Sequence, residues 1–271
     1  MVSLIFNTGE SDYELKARYN YEGSDLRKAQ LRMLEMLIFL DEICKANNIE
    51  YFISYGTLLG AKRHGGFIPW DDDLDVIISP KGLKKLRRII NNGKYKYIVQ
   101  DFSTDKGFVR HYNVLRDINS EYVKDEYIHN QRKYRGVQVD IFPYGYGVYD
   151  FGRRIISHLT FINEKYLLGR HPFFSKLLFY LNRWLVIPFF KLLSIFKKDK
   201  YIYLGYENGW QIKYLKDDIF PLKEISFEKY FFPCPNNIDH VLITDYGDEY
   251  NNLPSVNDRN HHEVSTIKYY D

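Results

Sequence analysis

Apolar side chains recur at helical spacing across residues 25–46, among them Leu26, Leu34, Leu37, Ile38 and Ile43. Ser24 stands where an N-cap belongs, and Asn47-Asn48 supplies a stop. A short β-prone run, Tyr51 to Ser54, follows. Gly56-Thr57 then opens a short helix with Leu58, Leu59 and Ala61 inside it, closed by Gly65-Gly66. From Asp73 to Ser79 the pattern alternates and then runs apolar, as a partly buried strand does. Residues 83–92 read as a basic helix ended by Asn92-Gly93, and strand-like runs lie at 95–100, 108–115 and 137–142. The order predicts an α/β (α+β) fold. No internal repeat or low-complexity tract interrupts it.

The segment FIPWDDDLDVII (67–78) breaks the ordinary logic of such a pattern. Four aspartates crowd the mouth of an apolar strand, where mutual repulsion should disfavour them. On a strand, Asp73 and Asp75 project to one face about 7 Å apart, a spacing suited to a hard cation such as Mg²⁺ or Mn²⁺. A solvated acidic turn is the plainer reading. Pro69, Trp70 and the buried run Val76-Ile77-Ile78 argue against it, because they pin the acids to a strand end. A calcium loop starting at Asp71 fails, since Val76 stands where its glycine belongs and Gly82 where its glutamate belongs. Asp140 lies in the apolar stretch GVQVDIF (136–142), where an unpaired carboxylate is costly. If that strand lies beside 73–79, Asp73, Asp75 and Asp140 form a three-carboxylate metal site. Gly56-Thr57, between strand and helix, offers backbone N–H groups and a hydroxyl as a phosphate seat.

The ordered set of Gly-Thr, Asp-x-Asp and a later lone Asp resembles the signature of the nucleotidyltransferase fold, which implies a mixed sheet flanked by helices. The longer run YGTLLGAKRHGGFIPWDDDLDV (55–76) resembles the defining motif of the LicD family, VDIFPYG (139–145) its second block, and LITDYGDEYNNLP…DRNHH (242–262) its C-terminal block. That resemblance implies transfer of a phosphorylated alcohol from a CDP-alcohol, CDP-choline first, to a sugar hydroxyl, with release of CMP. It implies metal ligation by Asp73, Asp75 and Asp140, with Asp140 as ligand or general base. It makes Asp71 a supporting acid and places Gly56 and Thr57 at the nucleotide phosphates. The acceptor it implies is a glycan or lipid-linked glycan of lipopolysaccharide, teichoic acid or capsule. The zinc-binding cysteine insertion of fukutin-related protein is absent, so no zinc is expected. Other CDP-alcohols (glycerol, ribitol, ethanolamine) fit the same reading. An Asp-x-Asp glycosyltransferase and a non-catalytic glycan-binding subunit are the rivals.

Smaller expectations attach to single residues. Lys62, Arg63 and His64 contact phosphate or form a solvated basic turn. Arg110 and Arg116 clamp phosphate or pair with an acid such as Asp117. Trp70, Phe67 and Tyr144 lie near the motif blocks, where aromatics can cage a quaternary ammonium. His261 and His262 contact substrate or lie on the surface.

Composition changes the picture little. With 271 residues the chain is read as one catalytic domain: a core over 25–145, a helical segment over 146–200 and a C-terminal part over 201–271 completing the site. A net charge of +3 and pI near 8.5 are too mild for a nucleic-acid binder, and none is expected. Two cysteines make no disulfide framework. The N-terminal apolar stretch is too short for a signal sequence, so a cytoplasmic protein is expected. The segment 171–198 is apolar but broken by Lys176, Arg183 and Lys191, so no uncharged run reaches the ~18 residues of a span. Lys197 and Lys198 extend the same basic stripe, and Pro188 is expected to kink or split the helix. This reads as a basic amphipathic insertion, lying in a membrane interface or packing on the domain. The first alternative makes the protein peripheral at the inner face of the cytoplasmic membrane.

Overall fold

The computed structural model describes residues 5–123, 132–197, 200–204, 212–259 and 266–270. Its frame is a mixed sheet. Strands β1 (Tyr51–Ile53), β2 (Asp75–Ile78), β3 (Tyr97–Gln100), β4 (Asn113–Asp117) and β6 (Gln138–Tyr146) run in the spatial order β1-β2-β6-β4-β3. Only β2 and β6 pair in parallel; their neighbours are antiparallel. The far end of β6 continues into β7 (Tyr201–Leu204) and β8 (Lys213–Leu215). Strand β5 (Ser120–Val123) pairs with the C-terminal strand Thr266–Tyr269 in a separate ribbon.

One face of the sheet carries Val76, Ile78, Val99, Leu115, Val139 and Ile141, all buried. Helices α2 (Asp25–Ala46) and α4 (Pro80–Asn92) pack against it. In α2, Ala29, Met33, Leu37, Leu40 and Cys44 make the inward stripe, and the Ser24 side chain caps the start by accepting from Arg27 N. Helix α4 starts three residues earlier than its apolar pattern suggests, because Ser79 caps it and Pro80 occupies its first turn. Strand β4 starts five residues later than expected, at Asn113, and β6 runs four residues longer, to Tyr146. Helix α1 (Asp12–Tyr19) had no periodic signal. It is held by a capping box between Ser11 and Glu14. Both cysteines are free and buried.

One buried ion pair ties α2 to the sheet: Arg32 Nε lies 2.9 Å from Asp117 Oδ2, with the Asp117 side chain fully enclosed. Orphaning a buried charge usually costs ~3–5 kcal/mol. Arg32 also keeps Glu35, so Asp117→Ala is expected to lower stability by about 2 kcal/mol, read as a urea-midpoint shift at unchanged slope.

A helical lobe follows β6. It comprises α5 (Asp150–Ile162), a π-helical turn (Asn163–Leu167), and then one continuous helix made of α6 (Pro172–Leu181), a second π-turn (Asn182–Val186) and α7 (Ile187–Ser194). Pro188 does not split it. The π-turn's wider hydrogen-bond spacing lies directly before the proline, where the ordinary ladder would lose its donor.

Candidate active site

The polar face of the sheet opens into a cavity of about 430 Å³, a size suited to a small ligand. Gly56, Trp70, Asp71, Asp73 and Asp75 line one side; Asp245, Tyr246 and Asp258 from the C-terminal part line the other. Helix α3 (Tyr55–His64) enters at its edge. Tyr55, at the helix start, has φ +48°, an uncommon backbone state for a non-glycine residue. The turn lets Gly56 press against the acids. A Cβ on Gly56 would stand 2.7 Å from Asp71 Oδ2, so only glycine fits while Asp71 keeps its place.

Several side chains hold the acidic loop. Gln30 of α2, fully buried, donates from Nε2 to Asp71 O (2.8 Å). Thr57 Oγ1 accepts from Asp75 N (2.8 Å). Tyr122 of β5 donates its hydroxyl to Asp72 Oδ2 (2.9 Å), turning that acid inward. Asp71, Asp72 and Asp73 each bring one carboxylate oxygen within 4.8 Å of the others. Burial, then the charge and hydrogen bond of Asp73, push the Asp71 carboxyl well above the usual carboxylate range. Such a set of hard, crowded oxygens fits a divalent cation.

The strand begins at Asp75, not at Asp73. The alternation argument therefore does not place Asp73 and Asp75 on one face, and Asp73 belongs to the loop folded over Gly56. Strands β2 and β6 lie side by side as expected, but the three acids gathered within 4.8 Å are Asp71, Asp72 and Asp73, a set that leaves out Asp140. Asp140 is the register partner of Asp75 across the parallel β2–β6 pair, and partners are about 4.8 Å apart between strands. Its Oδ1 accepts from Gln138 Nε2 (2.6 Å). It is not among the residues lining the cavity.

The basic candidates are engaged inside the protein. Arg63 donates to Tyr250 O and Asn252 O (both 3.2 Å), fastening the C-terminal part to α3, and burial lowers it to about 10. Lys62 pairs with Asp239 and His64 with Asp12. Arg116 is buried, bonded to Gln100 Oε1 (2.8 Å) and Gly136 O (2.7 Å), and burial lowers it to about 9. Asp117 is not its partner. Arg110 pairs with Glu164. Of the aromatics, Trp70 lines the cavity, whereas Phe67 packs on Phe227 and Tyr144 on Tyr146 and Phe220. His261 and His262 lie outside the described residues.

Sequence reasoning missed Asp245. It accepts from the Tyr214 hydroxyl at Oδ1 (2.6 Å), while Oδ2 has no hydrogen-bond partner among the described residues. Burial raises it from 3.8 to about 7. Its signal lies in LITDYGD, inside the stretch that resembles the family's C-terminal block. The raised value has a stability consequence. Near pH 4 the folded protein holds this proton. As pH rises the unfolded chain releases it first, so folding loses stability until pH passes about 7. In chelator, Asp245→Asn is expected to escape that loss, gaining up to about 4 kcal/mol over the wild type between pH 4 and 8. Urea melts across that range check it.

The chain is similar to several known proteins. Residues 48–165 match the family profile described as LicD/FKTN/FKRP, nucleotidyltransferase domain. Residues 48–165 form a LicD-family nucleotidyltransferase domain. The chain is 27% identical to the lipopolysaccharide cholinephosphotransferase LicD of Haemophilus influenzae, over 88% of this chain and 96% of that protein. A shorter stretch is 41% identical to mouse ribitol 5-phosphate transferase FKRP, covering 21% of this chain and 12% of that one. Another is 32% identical to mannosyltransferase regulator 4 of Saccharomyces cerevisiae, covering 30% and 8%. The LicD-type chain is a phosphotransferase enzyme.

Proposed function

We propose that this LicD-type enzyme is a metal-dependent transferase. It moves a phospho-alcohol, phosphocholine from CDP-choline, onto a hydroxyl of a cell-surface glycan precursor and releases CMP. The observation that carries the reading is the cavity bounded by Gly56, Asp71, Asp73 and Asp75 inside a domain of this family. The name of the Haemophilus relative supports choline as the alcohol and lipopolysaccharide as the kind of acceptor; teichoic acid and capsule precursors offer the same hydroxyls. The mouse relative's ribitol phosphate supports a second reading, in which the same reaction uses another CDP-alcohol.

Asp73, Asp75 and Asp140 are the ligands in this reading. The bound Mg²⁺ or Mn²⁺ would neutralise charge on the transferring phosphate and the departing CMP, the main demand of phosphoryl transfer. Asp71 backs Asp73. Gly56 and Thr57 stand at the nucleotide phosphates in this reading: Thr57 fixes the backbone of Asp75, and the bare Cα of Gly56 leaves room for Asp71. Arg116 serves as a buried positive charge two register pairs from Asp140, and Arg63 holds the C-terminal wall in place. Asp245, on the cavity wall, takes the proton of the acceptor hydroxyl. The core, the helical lobe and the C-terminal part act as one catalytic unit in the cytoplasm, at the inner face of the cytoplasmic membrane.

The test is CMP release from a panel of CDP-alcohols, with crude lipid-linked glycan as acceptor and UDP-sugars as controls. Mg²⁺-dependent CMP release from CDP-choline is the expected result. Release from a different CDP-alcohol would move the assignment to the second reading. UDP release from a nucleotide-sugar, with silence across the CDP panel, would replace the reading with a glycosyltransferase.

A further inference from the structure

The helix Pro172–Ser194 has two unlike faces. Its inner stripe, Ser175, Phe179, Asn182, Ile187 and Phe190, is buried. Phe179 stacks on His111 with ring centroids 4.6 Å apart. Asn182 Nδ2 bonds Thr160 Oγ1 and lies 3.3 Å from His111 Nε2. Ile187 and Phe190 close a small core with Val148, Ile156 and Tyr203. The outer face and its continuation are bare: Phe173 is 74% exposed, Trp184 64%, Leu192 61% and Phe196 80%. Over half of the large hydrophobic side chains exposed among the described residues fall between 146 and 196. A patch this continuous exceeds what a soluble monomer ordinarily leaves in water.

We propose that this face seats the enzyme on an anionic lipid bilayer, with the helix lying in the plane of the interface. Charge selects the partner. Seven Lys or Arg lie between 170 and 200 against one acid, Asp199. A second copy of the chain would oppose like charges across such a face, whereas lipid phosphates complement it. A groove of about 510 Å³ places Arg183 and Lys191 beside Trp184, Ile187, Pro188 and Leu192, a cationic edge along an apolar wall. That is the arrangement a phosphate headgroup and the start of its chains require.

The helix is long and apolar enough to cross a membrane, the only such helix among the described residues. The packing argues for the in-plane position instead. Spanning would strip Phe179 and Asn182 from His111 and Thr160 and uncover Val148, Ile156 and Tyr203. It would also carry Arg183, near the middle of the helix, to the bilayer centre, where a charge is costly.

The docking rests on the geometry of this helix; its use in the reaction rests on the reading of a lipid-linked acceptor. The experiment is flotation of the full-length protein with vesicles of equal phosphatidylglycerol and phosphatidylcholine, and with phosphatidylcholine alone. No substrate is present, so its failure leaves the transferase reading intact. The expected result is flotation with the anionic vesicles and a blue shift of tryptophan emission. Trp184→Ser/Leu192→Ser/Phe196→Ser is expected to weaken binding at least tenfold with an unchanged melting temperature, since none of the three is buried. Arg183→Gln/Lys191→Gln is expected to cost roughly fivefold per charge, on anionic vesicles only. Absence of wild-type flotation would overturn the proposal. So would a dimer by light scattering that the triple variant dissolves while vesicle binding persists, since the face would then be a contact between copies.

Discussion

Asp73→Asn is expected to lower metal-dependent CMP release about 10³-fold or more while leaving the melting temperature close to that of the wild type. A cation that neutralises transition-state charge supplies several kcal/mol, and each ~1.4 kcal/mol is a factor of ten in rate. Asp73 sits in the loop rather than in the sheet, between Asp71 and the strand that starts at Asp75. Its removal therefore costs the core nothing. It also removes the charge that, after burial, pushes the Asp71 carboxyl upward, so the chelated variant is expected to be about as stable as the wild type. Thermal melts with and without Mn²⁺ accompany the rate. The wild type rises with the ion, by mass action on the folded state, and the variant does not. A variant that keeps its rate would remove Asp73 from the chemistry.

Gly56→Ala is the second large effect, and it works through shape alone. The added methyl would stand 2.7 Å from Asp71 Oδ2 and 3.9 Å from Asp73 Oδ1. The nearest obstacle is the end of a side chain, which can move, so the fold survives. Asp71 must then leave its position behind Asp73, and the loop loses the geometry that gathers its acids. The rate is expected to fall about 10²-fold, the scale of a misplacement near 1 Å at a reacting centre. Gly56→Ala/Asp71→Gly, which removes the carboxylate the methyl meets, is expected to recover part of it. Steady-state CMP release for the pair decides this; a fully active Gly56→Ala would mean that Asp71 is free to move.

The first half of the chain was legible because its signals are local. The helix over 25–46, with its Ser24 cap and Asn47 stop, and the short helix closed by Gly65 follow from periodicity and capping chemistry. The adjacency of Asp75 and Asp140 was also within reach, since an aspartate in an apolar strand must find company. The exact start of β2 was not. Alternation continues through Leu74, yet the sheet starts only at Asp75, where Thr57 of α3 takes the backbone N–H, while Gln30 of α2 and Tyr122 of β5 hold Asp71 and Asp72 in the loop before it. Those three contacts join residues far apart in sequence, so no window contains them. Arg63 and Arg116 were misleading for a related reason. A basic residue beside a motif suggests a ligand, but the carbonyls of Tyr250, Asn252 and Gly136 that claim them come from elsewhere in the chain. The second half carried a strong amphipathic signal whose inner stripe depends on the position of His111 and Val148, which only the fold reveals.

The most direct measurement is anomalous diffraction from crystals grown with Mn²⁺ and CDP-choline. The account predicts a cation peak between the Asp73 and Asp75 carboxylates, about 2.1 Å from their oxygens as octahedral coordination requires, with Asp140 completing the set and the diphosphate in the cavity beside Gly56. A nucleotide bound with no cation at these acids, or a cation held by Asp71, Asp72 and Asp73 with Asp75 and Asp140 unligated, would contradict it.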